Sequence, residues 1–250
     1  MVDVPTIVTI GKATQDVFLK SSSAFTEFES KGVKYEQLPV GQKLELDEVI
    51  FATGGNGTNA AVTFARQGLH SRYVWCIGTD LGSETILQEL DREGIDTSFV
   101  FQGDHYRASY SIILMLAGGE RTILNYKGTP LKADNHDLDL SVIDSADWLY
   151  ISSLGDMELL ETIVSRAAQH GVKIMLNPAG AELEHMDKLR PLLDDVHILA
   201  VNKEEAQRIV SGETLEELVS HARHYVPIVL VSDGPHGAVA TDGTTIVTAG

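Results

Sequence analysis

A glycine-rich stretch at residues 53–60, with the sequence TGGNGTNA, separates two segments of different periodicity. Residues 44–51 partly alternate between polar and apolar side chains, as strands do, whereas residues 61–67 favour a helix. Glycines at such a strand-to-helix turn let backbone N–H groups approach a polar ligand. Asn56 and Asn59 add amides that can donate and accept, which suits a ligand with hydroxyl groups. A tight turn without any ligand is the other interpretation.

Polar side chains recur where predicted strands end. Asp16, Asn177, Asn202 and Ser232 each follow an apolar, strand-like segment. Ligands of parallel α/β sheets bind outside the carboxyl ends of the strands, so these residues predict a site along one edge. Each of them alone is equally explained as a helix N-cap, because Asn, Asp and Ser are favoured there.

Two later motifs add chemistry to that edge. Asn202 and Glu205 form an N-x-x-E pair, which is a variant of a capping box or a means of holding a hydrated Mg²⁺ beside phosphates. Residues 232–237, with the sequence SDGPHG, form a second glycine-bearing loop after a predicted strand. Its N–H groups could cradle the phosphates of a nucleotide.

Several other chemistries lack their motifs. The chain has no Walker A loop and no Gly-x-Ser-x-Gly, and its nine His residues show no metal-binding spacing. A dinucleotide-binding fingerprint stays open, because residues 55–60 fit G-x-G-x-x-A and Asp80 follows about twenty residues later. The position of this loop, behind another strand and a polar segment, argues against that alternative.

Composition bounds the class of protein. The 250 residues include 36 acidic and 19 basic side chains, a net charge of −17 that disfavours nucleic acid as a partner. No apolar run approaches a membrane span, and residues 1–5 lack the features of a signal peptide. The single Cys76 lies in an apolar segment typical of a buried strand, which predicts a structural thiol. We therefore expect a cytoplasmic protein without membrane contact.

Predicted strands alternate with predicted helices over most of the chain, which favours an α/β fold with a parallel sheet covered on both faces. Consecutive strands over residues 99–126 interrupt that alternation. We assign them, together with part of residues 17–50, to a small separate sheet. The polar segment at residues 20–40 is expected to be a loop. Residues 237–240 and 244–247 predict a closing hairpin.

These motifs, in this order, resemble the ribokinase-like (PfkB) carbohydrate kinase family over essentially the whole chain. The residues that carry the resemblance are Gly11 with Asp16, Gly54–Asn59, Cys76–Gly82 (CIGTDLG), Gly119–Thr122 (GERT), Asn177–Ala179 (NPA), Asn202–Glu205 (NKEE) and Ser232–Gly237.

The resemblance implies a three-layer α/β/α sandwich forming one kinase domain over residues 1–250, with a β-sheet lid from about residues 17–50 and 99–127. It implies transfer of the ATP γ-phosphoryl group to an alcohol of a sugar or nucleoside, with Mg²⁺, and in many members a homodimer formed through the lid. By the same resemblance, substrate hydroxyls would be held by Asp16, Gly54, Gly55 and Asn59, the nucleotide would face Asn202, Ser232, Gly234 and Gly237, and Glu205 would act on Mg²⁺ through water.

One departure from the family pattern is serious. The second family signature, D-T-x-G-A-G-D, which carries the catalytic base and an anion-binding glycine turn, is absent from residues 1–250. We therefore expect a C-terminally truncated member, inactive alone, with its base beyond Gly250 and with apolar sheet surface exposed. A non-catalytic sugar or nucleotide binder and, less favoured, a dinucleotide oxidoreductase are the alternatives. The sequence does not name the sugar or nucleoside.

Overall fold

The computed structural model describes residues 4–116 and 118–250. Residues 1–3, part of the segment examined for a signal peptide, and residue 117, inside the expected lid range, lie outside the described residues.

The strands are β1 (Thr6–Ile10), β2 (Thr14–Lys20), β3 (Thr26–Ser30), β4 (Val33–Gln37), β5 (Glu48–Gly54), β6 (His70–Val74), β7 (Cys76–Ile77), β8 (Phe101–Gln102), β9 (Ser109–Met115), β10 (Arg121–Tyr126), β11 (Trp148–Ser152), β12 (Lys173–Asn177), β13 (Ile198–Asn202), β14 (Ile228–Ser232), β15 (Ala238–Thr241) and β16 (Ile246–Ala249). The α-helices are α1 (Asn56–Arg66), α2 (Leu81–Arg92), α3 (Met157–Gln169), α4 (Ala181–Glu184), α5 (Met186–Leu192), α6 (Lys203–Ile209) and α7 (Leu215–Ala222).

The main sheet has eight strands in the order β16-β15-β14-β13-β12-β11-β1-β6. Every neighbouring pair from β14 to β6 is parallel, and the hairpin of β15 and β16 adds two antiparallel pairs at one edge. The predicted α/β class with a mostly parallel sheet is therefore confirmed, and the predicted closing hairpin is present.

The core lies between the main sheet and its helices. Val8 and Ile10 of β1 and Leu149 and Ile151 of β11 are fully buried, as expected for central strands covered on both faces. Helix α3 buries an apolar stripe at helical spacing, which packs against the sheet: Leu160, Ile163, Val164 and Ala167. These contacts fix the carboxyl ends of the central strands, where the predicted site lies.

A second, four-stranded sheet has the order β10-β9-β2-β5, and we call it the small sheet. Strand β2 pairs in parallel with β9 and antiparallel with β5, while β9 and β10 form an antiparallel hairpin. Because β2 follows β1 after only three residues and β5 runs directly into α1, the small sheet is joined to the main sheet beside the glycine-rich turn.

The expected loop at residues 20–40 is wrong in part. Residues 26–37 form the β3–β4 hairpin, in which the rings of Phe28 and Tyr35 stack at a centroid distance of 5.2 Å. Its side chains are mostly exposed, so neither strand contributes to the core, and the alternation around Phe28, Val33 and Tyr35 spans only five residues in each strand. A cross-strand aromatic pair stabilises the hairpin instead.

One face of the main sheet is apolar and exposed near β14. Helices α6 and α7 pack on the other face, where Val229 and Val231 are buried. Leu230 of β14 pairs with Ala240 of β15, which pairs with Val247 of β16. Leu230 is 37% exposed and Val247 is 60% exposed. The apolar surface that the sequence predicts is thus present, while its explanation by truncation stays a prediction.

Among the helices of residues 4–116 and 118–250, none combines the length and the apolar character that crossing a bilayer requires.

Candidate functional site

Asp16 lies in the middle of β2, in a polar row that crosses the small sheet. It pairs with Ser111 of β9 and Ala52 of β5, and Ser111 pairs in turn with Asn125 of β10. Directly paired residues share a face of a sheet, so Asp16, Ser111 and Asn125 project on the same side. The interpretation of Asp16 as a residue at a strand end is therefore wrong, because the chain re-enters a strand at Thr14.

Burial raises the pKa of the Asp16 carboxyl, and a hydrogen bond from Ser111 partly opposes that shift. A carboxylate that loses water on folding and gains only one neutral partner keeps unused acceptor capacity. Asp16 is thus suited to accept hydrogen bonds from the hydroxyl groups of a ligand on this face of the small sheet.

The glycine-rich turn is built for close backbone contact with the β1–β2 connection. A methyl group on Gly54 would lie 2.7 Å from the carboxyl carbon of Asp16. Gly55 has φ 99° and lies against the backbone of residues 12–14, and Gly57 lies against the backbone of Gly11. No other residue type fits at Gly54 or Gly55 without displacing Asp16 or the backbone beside it. Gly54 and Gly55 are therefore brought to the Asp16 carboxylate.

The remaining polar residues of the turn lie in three different environments. Thr58 is buried, and its hydroxyl donates to the carbonyls of Gly54 (2.5 Å) and Gly55 (3.0 Å), so it stabilises the turn. Asn59 is exposed and lines a groove of about 600 Å³ between α1, α2 and β5. Asn56 reaches the main sheet, where its amide lies 3.5 Å from Oδ1 of Asn177.

Asn202 and Ser232 lie side by side at the carboxyl ends of β13 and β14. The side chain of Asn202 accepts from the N–H of Glu205 at 2.9 Å, and the Glu205 carboxylate accepts from the N–H of Asn202 at 2.9 Å. This is a complete capping box at the start of α6, the local role that the sequence offered as an alternative. Asn177 likewise donates its amide to the carbonyl of Ala200, 2.8 Å away.

The turn at residues 233–237 uses much of its own hydrogen-bonding capacity. The N–H groups of Asp233, His236 and Gly237 all donate within the turn. Gly234 and Gly237 have φ values of 52° and 91°, which favour glycine. A side chain at Gly234 would meet open space, so a ligand has room beside Ser232. The turn therefore offers open space to a nucleotide, but few free N–H groups.

A metal ion has limited protein ligands at this edge. Across the described part of the chain, no three His, Cys, Asp or Glu side chains converge on one point. One oxygen of Glu205 is held by the capping box, and the other stays available. Mg²⁺ usually keeps several waters and needs only one or two carboxylates, so a water-mediated contact from Glu205 fits the residues present.

Asp80 has a structural role. Its carboxylate accepts from the N–H and hydroxyl of Ser83, from the hydroxyl of Tyr110 at 3.0 Å and from the N–H of Ala108 at 3.3 Å. Burial raises the pKa of Asp80, but these hydrogen bonds outweigh it and the net pKa is lowered. Asp80 caps α2 and ties it to the small sheet, so its acceptor sites are used within the protein and not by a ribose.

Cys76 is buried, and burial raises the pKa of its thiol to about 11. A thiol with such a pKa is a poor nucleophile at neutral pH. This agrees with the structural role expected from the sequence.

Sequence reasoning missed other residues around Asp16 and the strand ends: Lys12, Ser111, Asn125, Lys127 and Glu182. Ser111 and Asn125 are polar residues in apolar strand segments, a weak signal that gains meaning only from the register of three strands. Glu182 is 1% exposed and accepts from the N–H groups of Leu154 (2.8 Å) and Gly155 (2.7 Å). It also accepts from the Ser153 hydroxyl and the Ala179 N–H, which joins the loops after β11 and β12.

The fold is that of known ribokinases. The structure of Arabidopsis thaliana ribokinase complexed with ribose and ATP matches 99% of this chain and 78% of that chain, with a TM-score of 0.77 and 19% sequence identity. The chain belongs to the pfkB family of carbohydrate kinases, whose pattern matches residues 8–249. The predicted family is therefore confirmed, and the dinucleotide alternative is not supported.

Two curated relatives show the range of the family. The ribokinase of Haemophilus influenzae is 28% identical over 183 residues, which cover 71% of this chain and 57% of that protein. The 2-dehydro-3-deoxygluconokinase of the same organism is 26% identical over 215 residues, covering 76% of this chain and 68% of that protein. The chain spans only 57%, 66% and 63% of the lengths of three bacterial ribokinases that it matches.

Proposed function

We propose that the whole protein transfers the γ-phosphoryl group of ATP to a hydroxyl of a sugar or of a sugar-containing small molecule such as a nucleoside. The observation that carries this proposal is the contact between the half-buried Asp16 carboxylate and Gly54 at the junction of the two sheets, in a chain of the pfkB family. This contact leaves a hydrogen-bond acceptor without full solvation, facing the side on which a polar ligand would lie.

In this proposal the substrate end of the site is the small-sheet face with the glycine-rich turn. The Asp16 carboxylate accepts hydrogen bonds from sugar hydroxyls, and Gly54 and Gly55 let the ligand approach the backbone. Asn59 contributes an amide from α1, which requires its exposed side chain to turn toward the ligand. Fixing the sugar in this way aligns one hydroxyl for transfer, because such reactions depend chiefly on positioning and charge stabilisation.

The nucleotide end of the site is the edge formed by β13 and β14. Asn202, Ser232, Gly234 and Gly237 face the nucleotide, and Glu205 orients Mg²⁺ through a water molecule. When bound, ATP supplies the phosphoryl group and Mg²⁺ reduces the charge of its phosphates. The support for this assignment is the pairing of Asn202 with Ser232 and the open space beside Gly234.

We assign no catalytic base within residues 1–250, because these residues contain no D-T-x-G-A-G-D segment. The inactivity of residues 1–250 alone stays a prediction. The same absence keeps one second candidate, a sugar or nucleotide binder without turnover. Calorimetry of residues 1–250 tests binding, and turnover by the full-length protein separates the two candidates.

The test of the proposal is ADP formation by the full-length protein with Mg²⁺ and ATP over a panel of sugars, sugar acids and nucleosides. We expect sugar-dependent ADP release, with the half-saturating sugar concentration raised about 10- to 100-fold in Asp16→Asn. Binding without turnover on every compound, in a protein that carries the second signature, would favour the binder. Absence of both binding and turnover would remove the proposal.

We also propose a homodimer formed through the small sheet. Phe51, Ile112 and Leu124 lie in one row on the face opposite Asp16, and they are 68%, 38% and 54% exposed. A contiguous exposed apolar patch of this kind favours association with another protein surface. We place the protein in the cytoplasm, where ATP is available, which cell fractionation tests.

A further inference from the structure

Lys12 lies at the junction of the two sheets, beside the glycine-rich turn. Its carbonyl accepts the N–H of Gly57 at 3.2 Å, which fixes the residue beside the glycine-rich turn. Its ammonium lies next to Gly155, 3.4 Å from the position where a Cβ would stand. Among residues 4–116 and 118–250, the ion pairs involve neither Lys12 nor Lys127.

Burial lowers the pKa of the Lys12 ammonium, the charge of Glu182 raises it, and the charge of Lys127 lowers it again. Glu182 forms no direct ion pair with Lys12, and its two oxygens accept four hydrogen bonds from Ser153, Leu154, Gly155 and Ala179. A partly desolvated ammonium with three donors and no carboxylate in contact is unfavourable unless acceptors come from outside residues 1–250, and a bound ligand is one source of them.

Lys127 brings a second positive charge near enough to lower the pKa of the Lys12 ammonium. It directly follows β10, two residues after Asn125, whose side chain shares the face of Asp16. Its carbonyl accepts from the Ser109 hydroxyl at 2.8 Å, which holds this residue at the end of the small sheet nearest the main sheet. Two positive charges near each other, neither of them in an ion pair among residues 4–116 and 118–250, favour the binding of an anion.

The two lysines belong to the substrate end and not to the nucleotide end. Gly155 follows β11, whereas Asn202 and Ser232 end β13 and β14. In the order β14-β13-β12-β11, Gly155 and Ser232 are three strand spacings apart, about 14 Å at 4.8 Å per strand. An anion held beside Gly155 is thus far from Asn202 and Ser232, the residues assigned to the nucleotide.

We propose that the sugar substrate itself carries a negative charge, a carboxylate or a phosphate, which Lys12 and Lys127 bind while Asp16 binds its hydroxyls. This inference rests on the proposed function and narrows its substrate class to acidic sugars. The carboxylate of Asp16 and the two lysines would then orient the substrate from its two ends, which discriminates against neutral sugars by leaving the lysines unpaired.

The experiment compares the full-length protein with Lys12→Met and Lys127→Met on matched probes. Gluconate is paired with glucitol, 2-dehydro-3-deoxygluconate with ribose, and fructose 1-phosphate with fructose. We expect wild type to prefer one of the acidic probes, and each substitution to raise its Kd and KM about tenfold or more, as expected for loss of a charge-assisted hydrogen bond. The affinity for ATP should not change.

Lys20→Met is the matched control, because Lys20 is an exposed lysine at the far end of β2, 3.7 Å from Glu48. It should leave every constant unchanged. Lys127 is exposed, so Lys127→Met removes no buried group. A weaker affinity of this variant for the acidic probes is therefore not explained by misfolding.

A preference for a neutral sugar, or unchanged affinity for the acidic probes in both variants, would overturn the inference and leave the proposed function intact. A weaker affinity for ATP alone would assign the lysines to the nucleotide and also overturn it. Failure of wild type to phosphorylate or bind any probe would remove the proposed function and this inference with it.

Discussion

Gly54 and Asp16 are in direct contact, so the residue at position 54 controls where the carboxylate lies. We expect Gly54→Ala to lower kcat/KM for the sugar by about 100-fold, because a shift of about 1 Å in a positioning group can cost that much. Steady-state kinetics of the full-length protein measure it. Gly118→Ala is the control, since a Cβ there meets nothing within 4 Å. Equal kinetics of the two variants would show that Asp16 does not position the substrate.

Asp16 is expected to reduce stability while it supports binding. Its pKa is raised by burial above the ordinary value of 3.8, so the native state disfavours the charged carboxylate at neutral pH. Asp16→Asn should weaken sugar binding by about 10- to 100-fold. It should also leave the protein at least as stable as wild type in urea at pH 7.

The pH dependence gives this prediction a sign. As the pH falls from the raised pKa of Asp16 toward 3.8, the native wild-type carboxyl takes up a proton before the unfolded one does. The stability advantage of Asp16→Asn over wild type should therefore shrink over that interval. A variant that is less stable than wild type at pH 7, with the deficit constant down to pH 4, would contradict the assignment.

At the scale of the element, helices α6 and α7 carry the same capping box in two different places. Asn202 with Glu205 caps α6 at the proposed nucleotide edge, and Thr214 with Glu217 caps α7 elsewhere. Glu205→Gln and Glu217→Gln should each lower the free energy of unfolding by a similar, small amount, about 0.3–1 kcal/mol, because Gln keeps the capping-box acceptor but removes the negative charge at the helix N-terminus.

Only Glu205→Gln should raise the Mg²⁺ concentration needed for half-maximal activity. Titration of activity with Mg²⁺ at fixed ATP measures this, with Glu217→Gln as the matched control. If both variants keep the wild-type Mg²⁺ dependence, Glu205 is a capping residue alone.

Glu182 connects two loops of the site. Because it is buried and accepts four hydrogen bonds, Glu182→Gln places an amide NH₂ against donors that lose their acceptor. We expect the free energy of unfolding to fall by about 2–3 kcal/mol in chemical denaturation. Glu184→Gln, an exposed carboxylate in the same helix, should change it little. Equal effects of the two substitutions would show that the loops do not depend on this carboxylate.

At the scale of the whole molecule, the apolar row on the small sheet predicts the oligomeric state. We expect wild type to sediment as a dimer and Phe51→Asp to sediment as a monomer. Phe51 is 68% exposed, so its change should not unfold the subunit. Ile246→Asp is the control, because Ile246 is 60% exposed on the main sheet. A monomeric wild type, or a dimer that persists in Phe51→Asp, would exclude this interface.

Local pattern was sufficient for much of the fold. The central strands are short apolar runs and α3 is an amphipathic segment closed by Gly171, so periodicity and glycine located them. The β3–β4 hairpin was not predicted, because sequence periodicity indicates burial and this hairpin is exposed. Its stability comes from a cross-strand aromatic pair.

The sequence by itself determined the family, the α/β class and the glycine-rich turn, since each is a property of neighbouring residues or of motif order. Only the tertiary structure decided that Asp16 lies inside a strand, that Ser111 and Asn125 share its face, and that the Lys12 ammonium lies beside Gly155. Residues 12 and 155 are distant in the chain, and the parallel pairing of β1 with β11 brings them to one edge. A contact of that kind depends on strand order and register, which no local pattern encodes.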